Sequence, residues 1–330
     1  IENDGLMPLL KEIEMPLTEV LASMEHYGVK TDIQGVKDFG VHLSEMIEET
    51  SQAIYDDAGH TFNISSPKQL AVVLFEELGL PAKKKTKSGY STNADVLEEL
   101  RTAHPIVENV LKYRQYTKLN STYVDGLLKT IASDGRIHTC FKQTETRTGR
   151  ISSTEPNMQN IPVRTELGSR MRKFFIADDN KVLLDADYSQ IELRVMAHLC
   201  GDENMISAFT NNEDIHTSTA AQVFDMPKEM VTPEMRSAAK AVNFGIIYGI
   251  GAFSLSKDIN VSVYKAKKYI EDYLSKYPKV KQFMDNTVKS AEETGFVSTM
   301  FGRKRRIPEL SSSNKVLQAA GKRIAMNTPV

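Results

Sequence analysis

Helix starts and stops recur along this chain, and they restrict its fold more than any other feature. Residues 16–27 are periodic and stop at Gly28, and residues 33–58 form a longer periodic segment that stops at Gly59. Ser66-Pro67 is an N-cap followed by proline at the first helical position, and the helix it opens ends at Gly79. His104-Pro105 starts another that runs to about Leu119. "SQIELRVMAHLCG" reads as a helix stopped by Gly201, and Thr232-Pro233-Glu234 is a cap, proline and acid entry to the next. A last pair, about 262–276 and 279–294, breaks at Pro278. The expected class is α+β and predominantly helical.

Strand signals are confined to the middle. "GRIHTCFKQ" alternates like a strand, and "KVLLDADY" is a short apolar run ending in acid, the pattern of a buried strand. Between them "TETRTGRISSTEPNMQNIPVRT" has neither period, and a loop that long inside a compact domain is usually functional. "PAKKKTKSGYSTN" reads as a basic loop.

The 330 residues exceed what one core usually serves, so two or three domains are expected. Neither a membrane-length apolar run nor a signal core is present, and two cysteines, Cys140 and Cys200, are too few for a disulfide framework. A cytoplasmic setting without a membrane partner is expected. The first residue is Ile1, the expected mark of a chain that begins inside a longer protein. Net charge is −2, which does not announce a nucleic-acid binder, yet an acidic protein can still present a basic groove. Basic clusters stand at Lys83-Lys84-Lys85 with Lys87, at Lys112 to Lys118, at Arg170 to Lys173 and at Arg303 to Arg306. The plainer reading makes each a solvated face.

"RSAAKAVNFGIIYG" places Arg236, Lys240, Phe244 and Tyr248 four residues apart. On a helix each step of four turns ~400°, so the stripe drifts only ~40° per step and covers one face for ~18 Å. The cations stand near the helix start, where the dipole and free N–H groups already favour an anion. A triphosphate fits that end, and a sugar and base fit the two aromatics. Core aromatics beside solvated cations are the alternative. Gly245, Gly249 and Gly251 follow a helix rather than a strand, which rules out a dinucleotide loop.

Asp187 closes the "KVLLDADY" run, where a carboxylate suits a hard cation such as Mg²⁺, or simply a turn. Glu192 follows, and Ser189-x-x-Glu192 matches a capping box. In the polar stretch Arg150, Asn157, Gln159 and Asn160 carry donors suited to minor-groove acceptors, which occupy similar places in every base pair.

Three motifs, "TGRISSTEPNMQNIPVRT" at 148–165, "DYSQIELR" at 187–194 and "RSAAKAVNFGIIYG" at 236–249, resemble those of A-family DNA polymerases, and the likeness runs from about residue 15 to the end. That resemblance implies a right-hand fold: a lead-in over 1–19, a thumb over 20–118, the N-terminal part of the palm over 119–205 and fingers over 206–330. It implies template-directed synthesis of DNA in replication and repair, with primer-template DNA and deoxynucleoside triphosphates as partners, two Mg²⁺ ions, and a monomer at the bacterial nucleoid. Asp187 matches the palm aspartate that binds metal. Glu192 matches the residue that excludes the ribose 2′-OH. Arg236, Lys240 and His216 match phosphate contacts, Phe244 the sugar contact and Tyr248 the residue near the templating base. Arg150, Gln159 and Asn160 match minor-groove contacts near the primer end, and Arg323 and Asn327 match further duplex or template contacts.

One departure is large. The family needs a second palm aspartate in a His-Asp-Glu motif after the fingers, and none of the seven histidines here is followed by Asp. Asp185 is a poor substitute, because two carboxylates on one strand cannot clamp a metal pair from opposite sides. The expectation is a fragment inactive by itself. A non-catalytic DNA- or nucleotide-binding fragment and a single-subunit RNA polymerase are the other readings, and Glu192 argues against the second.

Overall fold

The computed structural model describes residues 1–82, 89–162 and 165–330, and the backbone of Lys85–Thr86. Lys83, Lys84 and Lys87 of the first basic cluster lie outside the described residues, as do the Lys85 side chain, Val163 and Arg164. The chain forms two compact units. One comprises residues 17–146 and 151–184, the other residues 1–16, 147–150 and 185–330. Among the described residues four two-stranded antiparallel sheets accompany the helices. No helix of the described residues is long and apolar enough to cross a membrane.

In the first unit the central element is the Ile33–Ala58 helix. The Asp32 side chain accepts from the Gly35 N–H at 3.0 Å, and Gly59 ends the helix at φ 77°. Val36, Phe39, Gly40 and Leu43 repeat at helical spacing and are buried. Burying a side chain such as Leu43 contributes about 1.5–3 kcal/mol. This end of the helix packs with Leu119, Val124, Leu127, Ile137 and Met171. Its other end meets the Pro67–Val72 and Pro105–Lys118 helices in a second cluster around Ile54, Leu70, Leu97 and Ile106.

The strand-like "GRIHTCFKQ" divides between two sheets. Arg136–Ile137 pairs with Val29–Lys30, and Cys140–Lys142 pairs with Ser152–Thr154. Thr139, between them, donates its hydroxyl to the carbonyls of Thr154 (3.1 Å) and Pro156 (2.7 Å). Within the basic loop, Lys85–Thr86 pairs antiparallel with Gly89–Tyr90, and Gly89 has φ 127°. Two members of the Lys112 to Lys118 cluster have partners within the unit. Lys112 pairs with Glu108 at 3.6 Å, and Arg114, partly buried, donates to the Thr92 carbonyl and to Thr92 Oγ1.

The apolar run "KVLLDADY" forms no strand. Residues 181–188 are irregular, and Val182 and Leu184 are 87% and 89% exposed. An extended segment becomes a strand only when a neighbour takes its backbone donors and acceptors, and no described residue pairs with 182–188.

The second unit is built on the Ile191–Cys200, Glu203–Thr210, Ile215–Val223, Pro233–Ile247, Ala252–Asp258, Val263–Lys276 and Pro278–Thr294 helices. Leu193, Met196, Met205, Ile215, Val242, Ile246, Leu255 and Tyr277 form their common core. Thr232 caps the Pro233–Ile247 helix through Met235 N–H at 3.3 Å, as expected. The capping box at Ser189 does not form. Gln190 is the N-cap residue in the left-handed region (φ 54°) with no side-chain cap, and the Ser189 carbonyl accepts from Arg194 Nε at 2.9 Å. Without the box, Glu192 is released from a capping role.

Arg303 to Arg306 is largely committed to the first residues of the same unit. Arg303 bonds Glu14, Lys304 Nζ donates to the Asp4 carbonyl at 2.6 Å, and Arg306 pairs with Asp4 at 3.1 Å.

Candidate nucleotide site

The stripe lies on the Pro233–Ile247 helix, with Tyr248 as its C-cap residue. Arg236 and Lys240 are exposed, and Phe244 and Tyr248 are half-buried. Lys240 Nζ stands 5.9 Å from the Phe244 ring centroid, and the Phe244 and Tyr248 rings are 6.2 Å apart and tilted by 32°. Each aromatic packs on the core without being fully buried. Arg236 is engaged already. Its Nε donates to Asp214 Oδ2 at 2.5 Å.

Asp214 is also the cap of the Ile215–Val223 helix, accepting from the His216 and Thr217 N–H groups. Its partial burial works to raise its pKa, but the bonds from Arg236 and Thr217 outweigh it and hold the carboxyl at about 2. His216 is 1% exposed, with its ring 5.9 Å from that of Phe244. Burial, with the charges of Arg236 and Lys240, pushes its pKa down to about 4, although Asp214 acts the other way. The ring is therefore neutral near pH 7, and its Nε2 is buried without a hydrogen-bond partner.

At the other end of the stripe, Arg150, Glu192, Tyr248 and Asn327 line one cavity of about 570 Å³. These four were singled out separately in the sequence, and folding gathers them. Arg150 Nη2 donates to Glu192 Oε1 at 3.1 Å. The Tyr248 hydroxyl bonds Glu192, and burial together with that bond raises the phenol's pKa. Arg305, which the sequence marked only as part of a basic cluster, also lines this cavity and donates to Thr328 Oγ1 at 3.3 Å. Only its place among arginines hinted at that role.

Gly249 explains how Asn327 arrives there. Its φ is 72°, and a Cβ would stand 2.3 Å from Met326 Cε and 3.3 Å from Arg323 Cγ. The Lys315–Asn327 helix thus lies directly on this glycine, with Arg323 exposed beside it.

The remaining predicted DNA contacts belong to the first unit. Asn157 caps the short Met158–Asn160 turn, accepting from Gln159 N–H at 3.0 Å. Gln159 Nε2 donates to the Ile151 carbonyl at 2.7 Å, and Tyr123 donates to the Asn160 carbonyl at 2.6 Å. All three side chains are exposed. Arg170 pairs with Glu166 at 3.2 Å, while Arg172 and Lys173 are exposed.

Asp185 and Asp187 are exposed on the irregular segment. No group of three or more His, Cys, Asp or Glu side chains among the described residues is arranged to hold a metal ion. Asp187 supplies the right donor type for Mg²⁺, but the described residues do not complete such a site.

This chain belongs to DNA polymerase family A, whose model matches residues 33–330. Its curated relatives are bacterial enzymes named DNA polymerase I. It is 52% identical to that of Caldicellulosiruptor bescii over 331 residues, covering 100% of this chain and 39% of the relative. It is 49% identical to that of Bacillus subtilis (100% and 38%) and 48% identical to the thermostable one of Thermus aquaticus (99% and 40%). The chain thus spans about two fifths of the length of these relatives. Among solved structures it is similar to the POL domain of Pol1 from M. smegmatis in complex with DNA primer-template and dNTP. The TM-score is 0.90 and the identity 42%, over 99% of this chain and 58% of that one. The fold is the α+β polymerase fold.

Proposed function

We propose that this chain, within the protein at its natural length, takes part in template-directed DNA synthesis. A primer 3′-OH would attack the α-phosphate of a deoxynucleoside triphosphate and release pyrophosphate. One observation carries this reading: the stripe from Arg236 to Tyr248 runs from cations to aromatics and ends at a cavity where Glu192 meets Tyr248. The similar M. smegmatis domain, solved with primer-template and dNTP, supports the same substrates here.

In this reading Arg236 and Lys240 take the phosphates, with His216 behind them. Phe244 meets the sugar, and Tyr248 stands near the templating base. Glu192, held between Arg150 and Tyr248, occupies the space a 2′-OH needs. Arg150, Asn157, Gln159 and Asn160 contact the minor groove, and Arg323 and Asn327 contact duplex or template. Residues 20–118 are assigned to the thumb, 119–205 to the palm and 206–330 to the fingers, after a lead-in over 1–19. Mg²⁺, two ions in the complete enzyme, is assigned as cofactor with Asp187 as one ligand. The described residues do not make up that metal site, and no step is routed through it. A monomer in the bacterial cytoplasm, at the nucleoid, completes the assignment.

Primer extension by the natural-length protein tests the reading. Incorporation directed by the template, lost in Lys240→Ala, supports it. Binding of duplex and nucleotide with no extension by the unaltered protein would favour the non-catalytic reading. Preference for ribonucleotides would favour an RNA polymerase.

A further inference from the structure

Three buried polar side chains on two helices form a chain of hydrogen bonds. Thr219 and His216 lie three residues apart on the Ile215–Val223 helix, hence on one face, and Asn243 comes from the Pro233–Ile247 helix. Thr219 Oγ1 donates to Asn243 Oδ1 at 2.9 Å, and Asn243 Nδ2 stands 2.8 Å from His216 Nδ1. Their exposures are 4% for Thr219, 0% for Asn243 and 1% for His216. Two polar atoms of the trio face each other at each joint, so the donors and acceptors must alternate. Asn243 also directly precedes Phe244, and it is one turn past Lys240 on the stripe helix.

We propose that Asn243 is a positioning residue for the nucleotide's phosphates. Anchored by Thr219, it donates to His216 Nδ1 and so fixes the ring as the Nε2–H tautomer, with that proton reserved for a phosphoryl oxygen. This deepens the nucleotide reading given above and rests on it.

The direction of the chain follows from the hydroxyl. Among the described residues the Thr219 hydroxyl proton has one acceptor, Asn243 Oδ1. Reversing the amide would strip that proton of its acceptor and would leave Nε2 a bare lone pair, with nothing to give an anion. In the direction found, Nε2–H is a buried donor with no partner, on a ring beside Phe244 and within electrostatic reach of Arg236 and Lys240. An unpaired buried donor is unfavourable, and an incoming acceptor oxygen relieves it. Nε2 has no solvent access, so a shift of the ring or its neighbours must precede contact. The Asn243 bond keeps the tautomer through that shift, as outer partners of functional imidazoles do.

The test uses the natural-length protein labelled with ¹⁵N-histidine. The His216 signals are those missing from His216→Gln. Long-range proton–nitrogen correlations are expected to show Nε2 protonated and Nδ1 bare. In Asn243→Asp the new carboxylate accepts from the ring, so Nδ1 becomes protonated, and deoxynucleotide affinity by titration falls about tenfold. Thr219→Val is expected to weaken binding in the same direction, and Thr219→Ser, which keeps the hydroxyl, to retain it. The Thr219 pair decides the matter if Asn243→Asp does not fold. A protonated Nδ1 in the unaltered protein overturns the proposal. So does undiminished affinity in Asn243→Asp and Thr219→Val where His216→Gln binds weakly. If His216→Gln and Lys240→Ala both bind undiminished, the nucleotide reading itself fails and the proposal with it.

Discussion

Asp214 Oδ2 accepts the Arg236 Nε–H at 2.5 Å, so one carboxylate caps a helix and also occupies the first cation of the stripe. Under the proposed nucleotide reading, a triphosphate arriving at Arg236 competes with Asp214. Asp214→Asn keeps an oxygen for the cap but removes the competing charge. Its affinity for deoxynucleotide is expected to rise about threefold, in keeping with a partly exposed ion pair. Titration of the natural-length variant checks this. Weaker binding would mean instead that Asp214 holds Arg236 in its working position.

Lys240→Ala and Arg236→Ala remove charged donors from the phosphate end. Each is expected to weaken nucleotide binding about tenfold or more, with the melting temperature little changed, since both side chains are exposed. Equilibrium titration at fixed salt reads the effect. Unchanged affinity in both variants would sink the placement of the phosphates.

Glu192→Ala separates the sugar gate from a structural role. The Ser189 capping box does not form, so no cap is lost. What is lost is the shared acceptor of Arg150 and Tyr248. Relative incorporation of ribonucleotides is expected to rise, as measured by competition between the two sugar types. A lowered melting temperature with selectivity intact would assign Glu192 to stability alone.

His216 gives stability a pH dependence of known sign. Its folded pKa of about 4 lies below the ordinary 6.5. Below pH 6.5 the unfolded chain takes up a proton that the folded one refuses, so this contribution is full above 6.5 and fades as pH falls toward 4. Between about pH 7 and about pH 5 the loss is about 2 kcal/mol. Denaturant titration at the two values measures it, and His216→Gln should flatten that part of the profile.

Local signals in the sequence proved sound where the structure they specify is local. Gly28, Gly59 and Gly201 all adopt positive φ at helix ends, and Thr232 caps as its Pro-Glu context implies. "KVLLDADY" failed because strand character depends on a partner the pattern does not name. Ser189 failed because a left-handed Gln190 moved the helix start by one residue. The gathering of Arg150, Glu192, Tyr248 and Asn327 was visible only as separate motifs. The Thr219–Asn243–His216 chain was not visible at all, since Asn243 meets the other two only when two helices pack. Arg303, read as part of a basic patch, is tied to Glu14 near the other end of the chain.

That last tie runs past Gly149. At φ 82° a side chain there would be strained, and its Cβ would stand 2.4 Å from Arg303 Nε. The glycine next to Arg150 is therefore the gap through which Arg303 reaches Glu14. Enlarging residue 149 would push the Arg303 side chain aside, disturb its bond to Glu14 and displace the backbone that carries Arg150. Positions 14, 149 and 303 are thus expected to vary together across related chains, so that a substitution near the N-terminus is inherited only with its counterpart some three hundred residues away.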